Sequence, residues 1–344
     1  MRCSMSWRQR GAASYDKFWE WCAASGVTSK QLSIRSVGSI CDRGLFLEEH
    51  VKSGTVLASI PYKLCMNREL LGTNSKFLPP APLLGLALHK ARLNPEGAEH
   101  LWLALYIATL RVQPKRESFG PYFDVLPNTL ALELGRKATL ESLAGSELND
   151  FREIEAATRS HVSLAGRFAS RYAALHRRRA RRLPTPSKAS DALPTSKEYH
   201  TFIDCTSHAN VAAAHDLVIS RSFPLPWGCR ESAPRDLATF LEETEDVETV
   251  PSLVPLLDLV NAAPLSSSSP QEGRSNCSIF TCTASQFLHE GTRKTRKVVS
   301  SPASRLGRKR VVLCASRDIA AGEELLMDYN IDDAPAAAYR FGFV

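Results

Sequence analysis

Two short stretches of the chain place chemically capable side chains at the ends of apolar runs. They are residues 253–261 (LVPLLDLVN) and residues 321–330 (AGEELLMDYN). The first offers Asp258 and Asn261, the second Asp328, Tyr329 and Asn330. Polar groups at the end of a buried run need hydrogen-bond partners, since an unpaired one costs about 1–3 kcal/mol. Turn or cap chemistry meets that need in some proteins, and a bound polar ligand meets it in others. A phenol held beside such a ligand can orient a reacting group, so the two runs point to a site and not merely to a core.

Hydrophobic spacing outlines the elements that must position these groups. Residues 15–25 (YDKFWEWCAAS) set Phe18, Trp19 and Cys22 at helical intervals and stop before Gly26, which predicts a short amphipathic helix at the edge of the domain. From residue 31 to 61 the pattern turns to β. Leu45, Phe46 and Leu47 are followed by Val51, a Lys52-Ser53-Gly54 turn, and an apolar run over 56–60 stopped by Pro61, which predicts a hairpin-like element. The order Val51/Gly54/Leu57 returns near the end as Ile319/Gly322/Leu325, giving two similar strand-turn-strand units. Between them, residues 82–112 are rich in Leu and Ala, with Leu84, Leu88, Leu101, Leu105 and Leu110 at helical spacing, and residues 152–182 read as helix too. The polar, Ser-rich and basic stretch from Ser266 through Arg310 reads as a long flexible excursion between two strands. Periodicity alone gives mixed α and β.

At 344 residues and 44% hydrophobic composition the chain has ample core for one large domain or two ordinary ones. No run approaches the roughly 18–20 apolar residues of a membrane span, so no membrane role is expected. The first fourteen residues lack an apolar signal core, which argues against secretion, while their Arg and Ser content suits an organelle transit peptide. Nine scattered cysteines without a C-x-x-C pair predict neither a disulfide framework nor a metal site, and a reducing compartment. The net charge of +7 is local: residues 156–190 carry nine Lys/Arg and residues 291–310 carry eight, neither with an acid, and elsewhere acids outnumber bases. Arg177, Arg178, Arg179, Arg181 and Arg182 are a candidate contact for an acidic partner, or else a solvated helix end running into the loop marked by Pro184 and Pro186. The basic stretches lack the interleaved aromatics of a nucleic-acid stacking platform, so nucleic acid is not the expected partner.

Five segments, taken in order, resemble the SET-domain protein methyltransferases, in particular the subgroup with Rubisco large-subunit lysine methyltransferase and the actin histidine methyltransferase. Arg43-Gly44-Leu45-Phe46 with VKSGTVLASIP is similar to the family's opening hairpin, and Phe119-Gly120-Pro121-Tyr122 with Leu126-Pro127 to a motif of its helical insert. Ser220-Arg221-Ser222-Phe223 resembles its Ser-Arg-x-Phe element, LVPLLDLVN the stretch ending in Asn-His, and SRDIAAGEELLMDYN with Phe341-Gly342-Phe343-Val344 its closing segment. The resemblance implies an α+β fold: a SET domain of small β-sheets with a knot-like closing segment and a large helical insertion. Its parts would be an N-terminal segment with a short helix (1–30), a first SET portion (31–72), the helical insertion with its basic loop (73–205), and a second SET portion (206–344) containing the Ser-rich, basic excursion at about 264–310.

The resemblance also implies S-adenosylmethionine as methyl donor and a protein substrate. Arg221 matches the carboxylate-binding Arg, and its planar fork suits a carboxylate. Asn261 and Asp258 match positions near the donor's amino-acid end, and Ala262 a backbone contact to adenine. Leu45 and Phe46 would supply backbone and apolar walls, and Phe343 a face against adenine, although taken alone these three read as core. Tyr329 matches the catalytic phenol. No metal is implied. Three departures stand out: Ala262 replaces the imidazole, Phe341 replaces a second Tyr with Tyr339 as a possible stand-in, and the match runs to the last residue, so the subgroup's C-terminal substrate-binding domain would be lacking. The implied activity is protein-lysine N-methylation. The alternatives are histidine methylation or a non-catalytic SET-like module that binds a partner through its basic insert. The expected state is an intracellular monomer, cytoplasmic or nuclear, with a plastid or other organelle also open.

Overall fold

The computed structural model describes residues 11–37, 43–71, 78–79, 81–89, 95–110, 117–126, 136–137, 139–141, 143–180, 196–226, 249–263, 275–283, 309–329 and 334–341. Helix α1 (Gly11–Ala24) begins a little before the expected start and buries Phe18 and Cys22, one turn apart on one face. It ends as its sequence predicts. Gly26 takes φ +83°, and the Gly26 and Val27 amides turn back onto the carbonyls of Ala23 and Cys22.

The principal sheet runs in the order β1 (Thr28–Ser29), β4 (Val56–Pro61), β9 (Lys309–Ala315), β8 (Cys277–Thr283), β10 (Leu326–Met327), β7 (Asn261–Ala262). β1 pairs antiparallel with β4, β4 with β9 and β9 with β8, whereas β10 lies parallel to both β8 and β7. Two ribbons complete the strands. β2 (Leu32–Arg35) pairs with β3 (Gly44–Leu47), and β5 (Ser222–Pro226) with β6 (Thr249–Leu253).

The predicted hairpin is corrected by this pairing. Leu45–Leu47 does not return on 56–60: β3 joins β2 and β4 joins β9. The physical reason lies in the second of the two similar units, which competes for the same backbone groups. Val51 and Ile319 exchange both amide-to-carbonyl bonds at 3.0 Å, Leu47 N–H donates to Glu323, Gly322 to Leu47, and Leu325 to Leu45. The two units therefore pair with each other, and their glycines, Gly54 at φ +78° and Gly322 at φ +82°, supply the left-handed turns. The segment 322–329 is consequently threaded, held by β3 on one side and by β7 and β8 on the other.

The stretch 264–310 is likewise not one excursion. Cys277–Thr283 is a strand registered residue by residue on β9, from Cys277 opposite Ala315 to Thr283 opposite Lys309. Its Ile, Phe and Thr carry a strand preference that the polar flanks conceal in a composition reading. The expected loop at Ser266 to Ser269 lies outside the described residues.

The helical insertion comprises α2 (Arg68–Leu71), α3 (Ala81–His89), α4 (Pro95–Ala108), α5 (Gly120–Val125), α6 (Gly145–Ala180) and α7 (Ser196–Cys205). The Leu/Ala-rich block resolves into α3 and α4, which bury Leu84, Leu88, Leu101 and Leu105. α6 packs against α4, and α8 (His208–Arg221) against both, so the helical block continues past residue 205 up to Arg221. Helix α9 (Ala334–Phe341) closes on α6, where Tyr339 meets Phe151 edge-on and Arg136 lies 4.1 Å over its ring. Among the described residues no helix is long and apolar enough to cross a membrane.

Candidate functional site

The chain from β6 to β7 is a buried turn. Leu256 takes φ +76°, a conformation that costs a non-glycine residue about 1 kcal/mol or more, and its complete burial holds it there. The turn feeds a single 3₁₀ turn (Leu257–Leu259), and Asp258, Val260 and Asn261 meet partners arriving from distant parts of the chain.

Arg221, at the last position of α8, donates from Nη1 to the Asp258 carbonyl at 2.7 Å, its one hydrogen bond among the described residues. Its half-buried guanidinium carries further N–H donors that no described residue accepts. Tyr329, just after β10, donates its phenol proton to the Val260 carbonyl at 2.7 Å. Asn261 donates from Nδ2 to the Arg43 carbonyl at 3.0 Å and to Glu324 Oε1 at 2.7 Å, and among the described residues its Oδ1 accepts nothing. Ala262 pairs with Met327, and the Ala263 amide donates to the Met327 carbonyl. Arg221, Asn261 and Tyr329 therefore converge on one short stretch.

β3 supplies the adjoining wall. Gly44 has an ordinary backbone but stands so close to the closing segment that a Cβ built on it would lie 2.1 Å from Glu324 Oε1 and 3.0 Å from Asn261 Nδ2. The Leu45 side chain is wholly buried and its carbonyl is taken by Leu325, while the half-buried Phe46 ring lies 5.1 Å beneath the Arg35 guanidinium. Beside Tyr329 stand two more rings: Phe223, edge-on at 6.1 Å, and Phe341 at 5.0 Å. Phe341 thus occupies the place beside the phenol, and Tyr339 faces the helical block instead. Phe343, Asn330, Arg181 and Arg182 lie outside the described residues.

Below this surface the Asp258 side chain is fully buried and accepts a hydrogen bond from Tyr122, which stands on α5 and stacks on Trp21 of α1. Burial pushes the Asp258 carboxyl up to about 7, against the Tyr122 hydrogen bond and the charges of Arg221 and Arg43. Burial also raises the Tyr122 phenol well above its usual range, helped by its acidic neighbour. The Glu324 carboxyl is raised by burial as well, with the Asn261 hydrogen bond opposing the shift.

Sequence reasoning leaves three contributors to this arrangement unassigned: Tyr122, Glu324 and Asn276. Tyr122 sits inside a quoted motif, but its partner lies 136 residues away. Glu324 hides in an apolar run. Asn276, fully buried, clamps the closing segment by accepting from the Leu326 amide at 2.8 Å and donating to the Glu324 carbonyl at 2.7 Å. Nothing in its polar surroundings marks it out.

The curled sheets, the threaded closing segment and the interrupting helices define a SET-domain fold. Solved structures with this fold match nearly the whole chain. They include the SET domain of LSMT bound to lysine and AdoHcy (TM-score 0.52, 14% identity, 96% of this chain and 57% of that one) and the same domain bound to methyllysine and AdoHcy (TM-score 0.53, 14% identity, 97% and 57%). Rubisco LSMT bound to sinefungin and monomethyllysine matches at a TM-score of 0.50 and 14% identity, over 97% and 56%. The chain spans a little over half the length of these structures. No protein-family model matches the sequence, and no curated protein matches it by sequence.

Proposed function

We propose that the chain is an S-adenosylmethionine-dependent protein N-methyltransferase acting on lysine. The observation that carries this reading is the convergence of a guanidinium and a phenol on the stretch 258–261, which itself presents the Asn261 amide. The groups fit the donor. Arg221 offers a half-exposed fork to its carboxylate, and Asn261 Oδ1 is an acceptor for its ammonium. When bound, the donor supplies an activated methyl group for in-line displacement by a neutral nitrogen.

The protein's part is alignment and dryness. Tyr329, its proton committed to Val260, holds its oxygen as an acceptor that orients the incoming amine, which must approach to roughly 3–3.5 Å along the displacement axis. Phe223 and Phe341 flank the phenol with apolar faces suited to the aliphatic stem of lysine, and such walls disfavour the charged ammonium. Structures of the same fold that hold a methylated lysine together with AdoHcy or sinefungin support the assignment.

Calorimetry with S-adenosylmethionine, followed by transfer of a tritiated methyl group into a cell lysate and mass spectrometry of the labelled protein, tests the reading. Micromolar binding and label on a lysine side chain are expected. Label on histidine would replace the lysine reading, and no binding to a folded sample would favour a non-catalytic module that docks a partner through its basic insertion.

A further inference from the structure

Asp258 carries the sole ionisable side chain of the 258–261 stretch, yet the site as described uses only its main-chain carbonyl. The carboxyl lies wholly inside the protein. One oxygen accepts from Tyr122, and Oδ1 has no hydrogen-bond partner among the described residues. An orphaned oxygen is costly in an ionised carboxylate and much less so in a neutral acid. Arg221, bonded to the carbonyl of the same residue, also lends its positive charge to this carboxyl. Resting on the methyl-donor reading above, we propose that Asp258 and Tyr122 are positioning residues, and that the Asp258 proton is coupled to the seating of a carboxylate-bearing ligand on Arg221.

With a ligand carboxylate in place, two anions would face one guanidinium. Around the Asp258 carboxyl stand Tyr122 from α5, Arg221 from the end of α8, Arg43 ahead of β3 and Cys22 from α1, with the Cys65 thiol next to Tyr122. Burial pushes the Cys22 thiol up to about 12 and raises that of Cys65 as well, so both stay neutral, and Asp258 is the member of this group that titrates near neutrality. A ligand carboxylate on Arg221 diverts part of the charge that favours ionised Asp258, so the carboxyl binds its proton more tightly. Linkage makes the effect reciprocal: protonated Asp258 must bind the ligand more tightly than ionised Asp258 does. Affinity is therefore highest on the acid side and falls as pH rises through 7.

The test is calorimetric titration with S-adenosylhomocysteine at pH 6 and pH 8, with 5′-methylthioadenosine, which has no carboxylate, as the control ligand. For the wild-type chain the homocysteine compound is expected to bind about five-fold more weakly at pH 8 than at pH 6, the change that a one-unit rise of the carboxyl from about 7 on binding gives. Methylthioadenosine should bind equally at both pH values, and Asp258→Asn should remove the difference for the homocysteine compound. A pH-flat wild type, or the same fall in Asp258→Asn or with methylthioadenosine, overturns the coupling. Infrared spectroscopy of the ligand-free protein gives a readout that stands apart from the donor. The band of a protonated buried carboxyl should vanish as pH rises through 7, and its midpoint should move upward in Tyr122→Phe, which loses the hydrogen bond favouring the ionised form. Absence of that band at pH 6 overturns the proposal whether or not Asp258→Asn folds. A titrating band with no ligand binding at any pH instead overturns the methyl-donor reading, and the coupling with it.

Discussion

Gly44→Ala tests whether β3 and the closing segment meet as closely as the structure shows. The new Cβ would fall 2.1 Å from Glu324 Oε1, an impossible contact, and 3.0 Å from Asn261 Nδ2. The backbone at Gly44 is not in the left-handed region, so the cost comes from space and not from conformation. Glu324 Oε1 is the far end of a flexible side chain, so the carboxylate can swing aside. Doing so breaks its 2.7 Å bond to Asn261 and leaves that amide with the Arg43 carbonyl alone. A half-buried charged hydrogen bond of this kind is worth about 1.5 kcal/mol, which sets the expected loss in a urea melt. Glu324→Ala should cost a similar amount, because it deletes the same bond. The two changes should not add. With Glu324 truncated, the worst clash is gone and the 3.0 Å approach to Asn261 Nδ2 asks only a small shift of that amide, so the double variant should lose little beyond Glu324→Ala alone, a coupling of about 1.5 kcal/mol in a double-mutant cycle. Additive losses near 3 kcal/mol would refute the reasoning, as would a Gly44→Ala protein of wild-type stability.

Tyr329→Phe should keep donor affinity within a few-fold while methyl transfer drops about 100-fold or more, as measured by tritium incorporation, since a misaligned amine loses most of the benefit of proximity. Arg221→Ala should weaken S-adenosylhomocysteine binding about 10- to 100-fold by calorimetry, and Arg221→Lys should recover only part of it, since an ammonium lacks the planar fork. His215 is a buried histidine held at about 3, first by burial and then by His100, Arg136 and His161. Its folded value lies below the unfolded one, so the stability it contributes is present above about pH 6.5 and is lost as pH falls toward the folded value. Urea denaturation at pH 7 and pH 5 should show wild type losing about 2 kcal/mol more over that interval than His215→Gln does, which isolates this residue from the opposite contribution of Asp258.

Much of the frame is legible from residue spacing. The helix that ends at Gly26, the leucines of α3 and α4 and the long α6 follow a 3.6-residue period, and local order of that kind needs no knowledge of partners. The partners of the strands are not legible in the same way. Two similar units, each with a glycine turn, read as two local hairpins, and nothing in either predicts that Val51 pairs with Ile319. β8 was hidden for another reason: CSIFTCT is a short, half-polar strand between polar flanks, and its burial comes from β9 and β10, which are distant or later in the chain. At the site, Asn261 and Tyr329 stand out as polar groups that end apolar runs, whereas Arg221 is picked out by the resemblance of its Ser-Arg-x-Phe segment. Glu324 and Asn276 did not, because their significance comes from the threaded segment between them.

The contacts around residues 258–261 depend more on the path of the chain than on which side chains it carries. Arg221 and Tyr329 each bond to a main-chain carbonyl, of Asp258 and Val260, and Asn261 bonds to the carbonyl of Arg43. A carbonyl is present whatever the side chain, so these contacts constrain the path of the chain more than its sequence. Ala262 illustrates the point. It has no imidazole to offer, but its backbone is fixed by the pairing with Met327 and by the 2.8 Å bond from the Ala263 amide, so the strand keeps its register beside the threaded segment. The side-chain contacts that do matter, Tyr122 with Asp258 and Asn261 with Glu324, join elements that nothing else in the sequence relates. Removal of a side chain at 262 therefore alters what the site can touch without releasing the groups that shape it.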